Sequence, residues 1–166
     1  MPASEPNFAA LLQQLHSAGA RFVLIGGLAM VSHGSAHVTV DVDVAYARDA
    51  ENFAALARVV QTVHARLRGV PVDLPFPLDA LTFRNTMNLT LETDYGALDL
   101  LAIPEGIDSY EGLLRRSVEL EVFGVPVHVA SLDDLIAMKQ AANRPKDQAH
   151  LYELFALKKL LAEESK

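Results

Sequence analysis

The spacing of apolar residues switches repeatedly between the helical and the strand period along this chain. Phe8, Leu11, Leu12 and Leu15 recur at i, i+3, i+4 and i+7, which predicts a helix packing one face inward and ending near Gly19. Phe22 to Ile25 is a short apolar run closed by Gly26-Gly27, as a buried strand turning directly into another element would be, and Leu28 to His33 reads as a short helix. From Val38 to Tyr46 β-branched residues alternate with Thr39, Asp41 and Asp43, so a half-buried strand is expected, with Val40, Val42 and Val44 toward the core. Phe53, Leu56, Val59, Val60 and Val63 predict a helix from an Asp49 N-cap to about Leu67. Pro71, Pro75 and Pro77 mark 69–81 as an irregular connection. Met87 to Glu92 and Ala97 to Ile103 form a hairpin about Thr93-Asp94-Tyr95-Gly96. A short helix over Ser109 to Arg116 and a strand pair about Gly124 follow. Ser131 with Asp134 then caps a helix to about Ala142, and Pro145 opens another through Leu161.

With 166 residues, 51% of them apolar, the chain is long enough for one sizeable core. A single domain over 1–166 is expected, with its core over about 19–130 and a helical section over about 131–163. The formal charge of −7 argues against non-specific DNA binding. The lack of cysteine removes thiolate metal sites and cysteine nucleophiles and fits a reducing compartment, so a cytoplasmic location is expected. No apolar run approaches the roughly 20 residues that cross a bilayer, and no membrane association is expected.

The candidate chemistry lies in the strand carrying Asp41 and Asp43. Alternate strand residues share a face, so the two carboxylates stand together, and anions held that close call for a cation. Asp-x-Asp alone also fits a solvated edge strand. The preceding Gly26-Gly27 and a third acid, Asp99, on a later strand favour a site instead. Glycine lets backbone approach phosphate closely, and carboxylates suit Mg²⁺, a hard cation that prefers oxygen ligands. Asp99 is placed to join the metal site and to accept a proton from an attacking hydroxyl. His33, His37 and His64 do not have zinc-ligand spacing, and Arg115-Arg116 and Lys158-Lys159 read as solvated helix faces.

Ile25-Gly26-Gly27-Leu28-Ala29, His33-Gly34, Thr39, Asp41-Val42-Asp43, Ala97-Leu98-Asp99-Leu100, Lys139 and Arg144-Pro145-Lys146-Asp147 together resemble the nucleotidyltransferase superfamily of DNA polymerase β-like fold. The likeness is to its abortive-infection-type and minimal members. It implies an α/β (α+β) domain with a small mixed sheet flanked by helices, and C-terminal helices closing the cleft. It also implies transfer of a nucleoside monophosphate from an NTP to a hydroxyl or phosphate of an RNA, a protein or a small molecule, in a toxin–antitoxin or phage-defence setting with a cognate partner. Two Mg²⁺ ions, replaceable by Mn²⁺, are implied on Asp41, Asp43 and Asp99, with nucleotide binding by Gly26, Gly27, His37, Thr39 and Lys139. Three departures stand out. Gly27 replaces the superfamily's usual serine, as glycine also does in the abortive-infection type, His37 stands where an Arg is common, and His150 stands where an Asp is common. Because an Arg fork is always charged and His only partly so near neutrality, His37 leaves open a second function, a catalytically silent module that binds a nucleotide or a partner protein.

Overall fold

The computed structural model describes residues 5–71, 73 and 76–165, so the irregular reading at 72, 74 and 75 lies outside the described residues. The chain runs α1 (Phe8–Ser17), β1 (Phe22–Ile25), α2 (Gly26–Ser32), β2 (Asp41–Tyr46), α3 (Ala50–Thr62), β3 (Arg66–Leu67) and α4 (Ala80–Asn85). It continues through β4 (Asn88–Thr93), β5 (Gly96–Leu101), α5 (Tyr110–Arg116), β6 (Val118–Val122), β7 (Val125–Val129), α6 (Leu132–Ala142) and α7 (Pro145–Glu164). Seven strands form one sheet in the order β3-β4-β5-β2-β1-β7-β6. The β2–β5 and β1–β7 pairs are parallel and the others antiparallel, so the sheet is mixed.

Strand alternation and helical stripes meet in one core. Val42, Val44, Leu98 and Leu100 are fully buried on the central strands, as are Leu11, Leu12 and Leu15 of α1 and Leu56 of α3. Removing that surface from water at roughly 25 cal/mol per Å² is the main force joining sheet and helices. Asp49 caps α3 by accepting from the Asn52 N–H at 3.0 Å, and Ser131 caps α6 by accepting from the Asp134 N–H at 3.1 Å. Among the described residues, the Asp134 side chain does not accept from the Ser131 N–H in return. The Asp134 carboxylate turns instead to Arg116, at 2.8 Å. Among the described residues no helix is long and apolar enough to cross a membrane.

Three local expectations change. β2 begins at Asp41 rather than Val38, and Val40 is 64% exposed instead of core-facing. The reason is register: Asp41 pairs with Ala97, next to the Gly96 that begins β5, so 38–40 have no strand to join. α3 stops at Thr62 because His64 takes a left-handed φ of 51° and the Asp94 N–H donates to the Val63 carbonyl at 3.0 Å, turning the chain into β3. Past the proline-rich connection, Asp79 caps the short helix α4 through the Thr82 N–H at 3.0 Å.

Candidate active site

Sheet register brings the three acids together. Asp43 pairs with Asp99 across the parallel β2–β5 ladder, so their side chains leave the same face side by side, and Asp41 follows two residues earlier on that face. One carboxylate oxygen from each of Asp41, Asp43 and Asp99 lies within 4.8 Å of the others. Burial first, then the neighbouring Asp99 and Asp41 carboxylates, push the Asp43 carboxyl up to about 7, with Lys139 pulling the other way. Three half-buried anions with too little positive charge among them, all hard oxygen donors, suit a divalent cation.

Gly26 and Gly27 open α2 directly beneath this cluster. Gly26 has a φ of +70°, which glycine adopts without steric cost, and a Cβ there would overlap the Asp43 carboxylate. A Cβ on Gly27 would come within 2.9 Å of Thr39 Oγ1 and 3.0 Å of His37 Cδ2. A side chain at Gly27 would therefore press on Thr39 and His37, which pack against the bare backbone. Thr39 is itself held by donating its hydroxyl to the Asp41 carbonyl at 3.1 Å. Restoring the hydroxyl by Gly27→Ser is expected to cost about 1–3 kcal/mol of stability through overpacking, read as a lower Tm. A serine accepted with no change in Tm would show that Thr39 and His37 give way freely.

A cavity of about 770 Å³ opens over the carboxylates, lined also by Gly26, Gly27, His37, Thr39, Lys139, Arg144 and His150. All eight residues expected at the site from the sequence thus face one space. Lys139 comes from α6 and is anchored by Asp147, at 3.3 Å. The structure adds two residues that the sequence reading did not place. Arg68, just after β3, donates to Asp99 Oδ1 at 2.8 Å, to Glu92 at 3.0 Å and to the Leu91 carbonyl at 3.0 Å. It holds one oxygen of Asp99 and leaves the other for the cluster. His150, noted in the sequence as a departure, packs its ring on that of His37.

A mixed sheet that sets three carboxylates on neighbouring strands above a Gly-Gly turn is the arrangement expected of a nucleotidyltransferase. More particularly, the family described as "Nucleotidyltransferase of unknown function (DUF6036)" matches residues 7–161, and the chain belongs to it. No curated protein sequence matches the chain. Among solved structures, the antibiotic-resistance factor ANT(2'')-Ia aligns over 95% of this chain and 85% of its own, with a TM-score of 0.58 at 15% identity. In complex with adenylyl-2''-tobramycin it aligns over 93% and 87%, with a TM-score of 0.57 at 16% identity. LnuA, a lincosamide antibiotic adenylyltransferase with lincomycin bound, aligns over 93% of this chain and 99% of its own, with a TM-score of 0.60 at 13% identity. At these identities the likeness establishes the shared fold.

Proposed function

We propose that this protein transfers a nucleoside monophosphate from an NTP to a hydroxyl of a small molecule, with Mg²⁺ held by Asp41, Asp43 and Asp99. The observation that carries the reading is the convergence of the three carboxylates beside Gly26-Gly27 in a chain of a nucleotidyltransferase family. The bound metal would neutralise charge on the phosphates and on the attacking and leaving oxygens. Gly26 and Gly27 let the triphosphate approach the backbone, Thr39 and His37 border that approach, and Lys139 supplies positive charge. The acceptor oxygen bonds to the α-phosphorus, the bond to pyrophosphate breaks, and Asp99, oriented by Arg68, takes the hydroxyl proton.

A small acceptor is favoured by the size of the cavity, by the antibiotic ligands of the two structural relatives, and by a net charge of −7, which disfavours an RNA strand. Calorimetric titration with each NTP, with and without Mg²⁺, tests binding, and transfer of an α-labelled NMP to a panel of hydroxylated small molecules tests the reaction. Asp41→Asn is expected to abolish transfer while the fold persists, and undiminished transfer would sink the assignment. Absence of Mg²⁺-dependent NTP binding would instead favour the silent module to which His37 points.

A further inference from the structure

The cavity that holds the three carboxylates is also lined by a pair of histidines from segments distant in sequence. His37 lies in the loop after α2 and His150 on α7, with ring centroids 4.6 Å apart and planes at 80°, edge to face. The pair is built rather than incidental. The His37 N–H donates to Ser35 Oγ at 2.9 Å, and the Ser35 hydroxyl in turn donates to Glu153 on α7. Glu153 therefore holds the loop, and His150, three residues earlier on the same helix face, brings its ring against His37. On the other side His37 abuts the bare Gly27 backbone.

The protonation of His150 follows from its surroundings. Its Nδ1 is buried and has no hydrogen-bond partner among the described residues. Nε2 is therefore the ring nitrogen left to meet a ligand. Burial first, then Lys139 and His37, hold the ring below the usual histidine range, against the pull of Asp147 and Glu153. The ring also lines the cavity, and the nitrogen it can offer there is Nε2.

The order of groups along the cavity suggests what this pair meets. A Cβ on Gly26 would overlap the Asp43 carboxylate and one on Gly27 would meet His37 Cδ2 at 3.0 Å, so the Gly26-Gly27 backbone leads from the carboxylates to the imidazoles. Lys139 lines the same cavity. A nucleotide with its α-phosphorus at the carboxylates would run its chain of phosphates along the bare Gly26-Gly27 backbone toward the two rings.

We propose that His37 and His150 form the seat for the terminal phosphates of the nucleotide, and so for the pyrophosphate that leaves. The inference rests on the nucleotidyl-transfer reading and specifies one part of that site. Imidazole N–H groups hold phosphate oxygens by hydrogen bonds without a fixed full charge, so they retain the leaving group less firmly than an Arg fork would.

Calorimetry with Mg²⁺-pyrophosphate, a non-hydrolysable ATP analogue and AMP tests the seat. His150→Ala and His37→Ala are each expected to weaken pyrophosphate and ATP-analogue binding about tenfold, with AMP affinity unchanged within about twofold. His150→Gln, whose amide nitrogen can stand near the Nε2 position, is expected to recover part of the loss, and it retains the test if the alanine variant folds poorly. If the wild-type protein binds the ATP analogue but the histidine variants bind pyrophosphate equally well, or lose AMP and pyrophosphate affinity alike, the seat is overturned while nucleotidyl transfer stands. If the wild-type protein binds none of the three ligands, both readings fall.

Discussion

Asp43→Asn is expected to abolish nucleotidyl transfer and, at the same time, to make the metal-free protein more stable above neutral pH. The two effects have one cause. Asp43 lies between β1 and β5 with Asp99 beside it and Asp41 two residues away, and burial with those two anions raises its carboxyl from 3.8 to about 7. Below the unfolded carboxylate value it is protonated in both folded and unfolded states, and the crowding costs nothing. As pH rises toward 7 the unfolded chain has already released this proton while the folded chain still holds it, so stability falls across that window and stays lower beyond it. The shift sets a ceiling of roughly 4 kcal/mol. Solvent reaching the half-buried cleft reduces it to about 1–2 kcal/mol, or about 2–8 °C in Tm for a chain of this size. Asparagine keeps the shape, carries no charge, and donates a hydrogen bond toward Asp99 in place of the proton. Thermal unfolding in EDTA should therefore favour the variant at pH 8 and show no difference at pH 3.5. Added Mg²⁺ should raise the Tm of the wild-type protein and leave that of the variant nearly unchanged, since a ligand stabilises only the state that binds it. Activity should fall by about a thousandfold or more, given several kcal/mol of transition-state stabilisation from a bound metal. A variant less stable than wild type at pH 8 without metal would contradict the crowding that this site requires.

Much of this site could be read from the chain because its geometry is local. Alternation along Asp41-Val42-Asp43 sets two carboxylates on one face, and the turn at 93–96 pairs β4 with β5, placing Asp99 on a strand with the same alternation. What alternation does not contain is register between strands distant in sequence. That Asp43 faces Asp99 directly depends on a parallel pairing across more than fifty residues. Arg68 escaped notice for a related reason: it follows a two-residue strand that exists only because His64 reverses the chain, and a histidine in a left-handed conformation gives no signal of the kind a glycine does. Val40 misled in the opposite sense, since a β-branched residue in an alternating run looks like strand whether or not a neighbouring strand reaches it. The His37–His150 contact joins a loop to the last helix, and no periodicity in either segment announces it.

Asp147→Ala is expected to produce the largest loss of stability, about 3 kcal/mol, or roughly 6–12 °C in Tm. Asp147 is completely buried at the start of α7, where one side chain serves three partners. It accepts from the Arg144 N–H at 3.0 Å, closing the helix N-terminus, and from the Arg144 guanidinium at 2.9 and 3.2 Å. It also pairs with Lys139 of α6 at 3.3 Å. The left-handed Asn143 makes the turn between the two helices, and Asp147 locks it from inside. Alanine leaves Lys139, whose side chain is only 15% exposed, without its counter-ion and frees the first turn of α7. The Arg144 guanidinium, followed by the Arg144 N–H and Lys139, holds the Asp147 carboxyl well below the usual range. Its contribution is therefore complete at neutral pH, begins to fade as pH falls below the unfolded value of 3.8, and disappears only in strong acid. The Tm gap between wild type and variant should narrow below about pH 4, and Asp147→Asn, which keeps the cap but not the charge, should lie between the two. The same substitution reaches the active site, because Lys139 is aimed by this carboxylate into the cavity that His150, one turn further along α7, also lines. NTP affinity should fall even in conditions where the variant is fully folded, and unchanged affinity there would show that Lys139 needs no anchor to do its work.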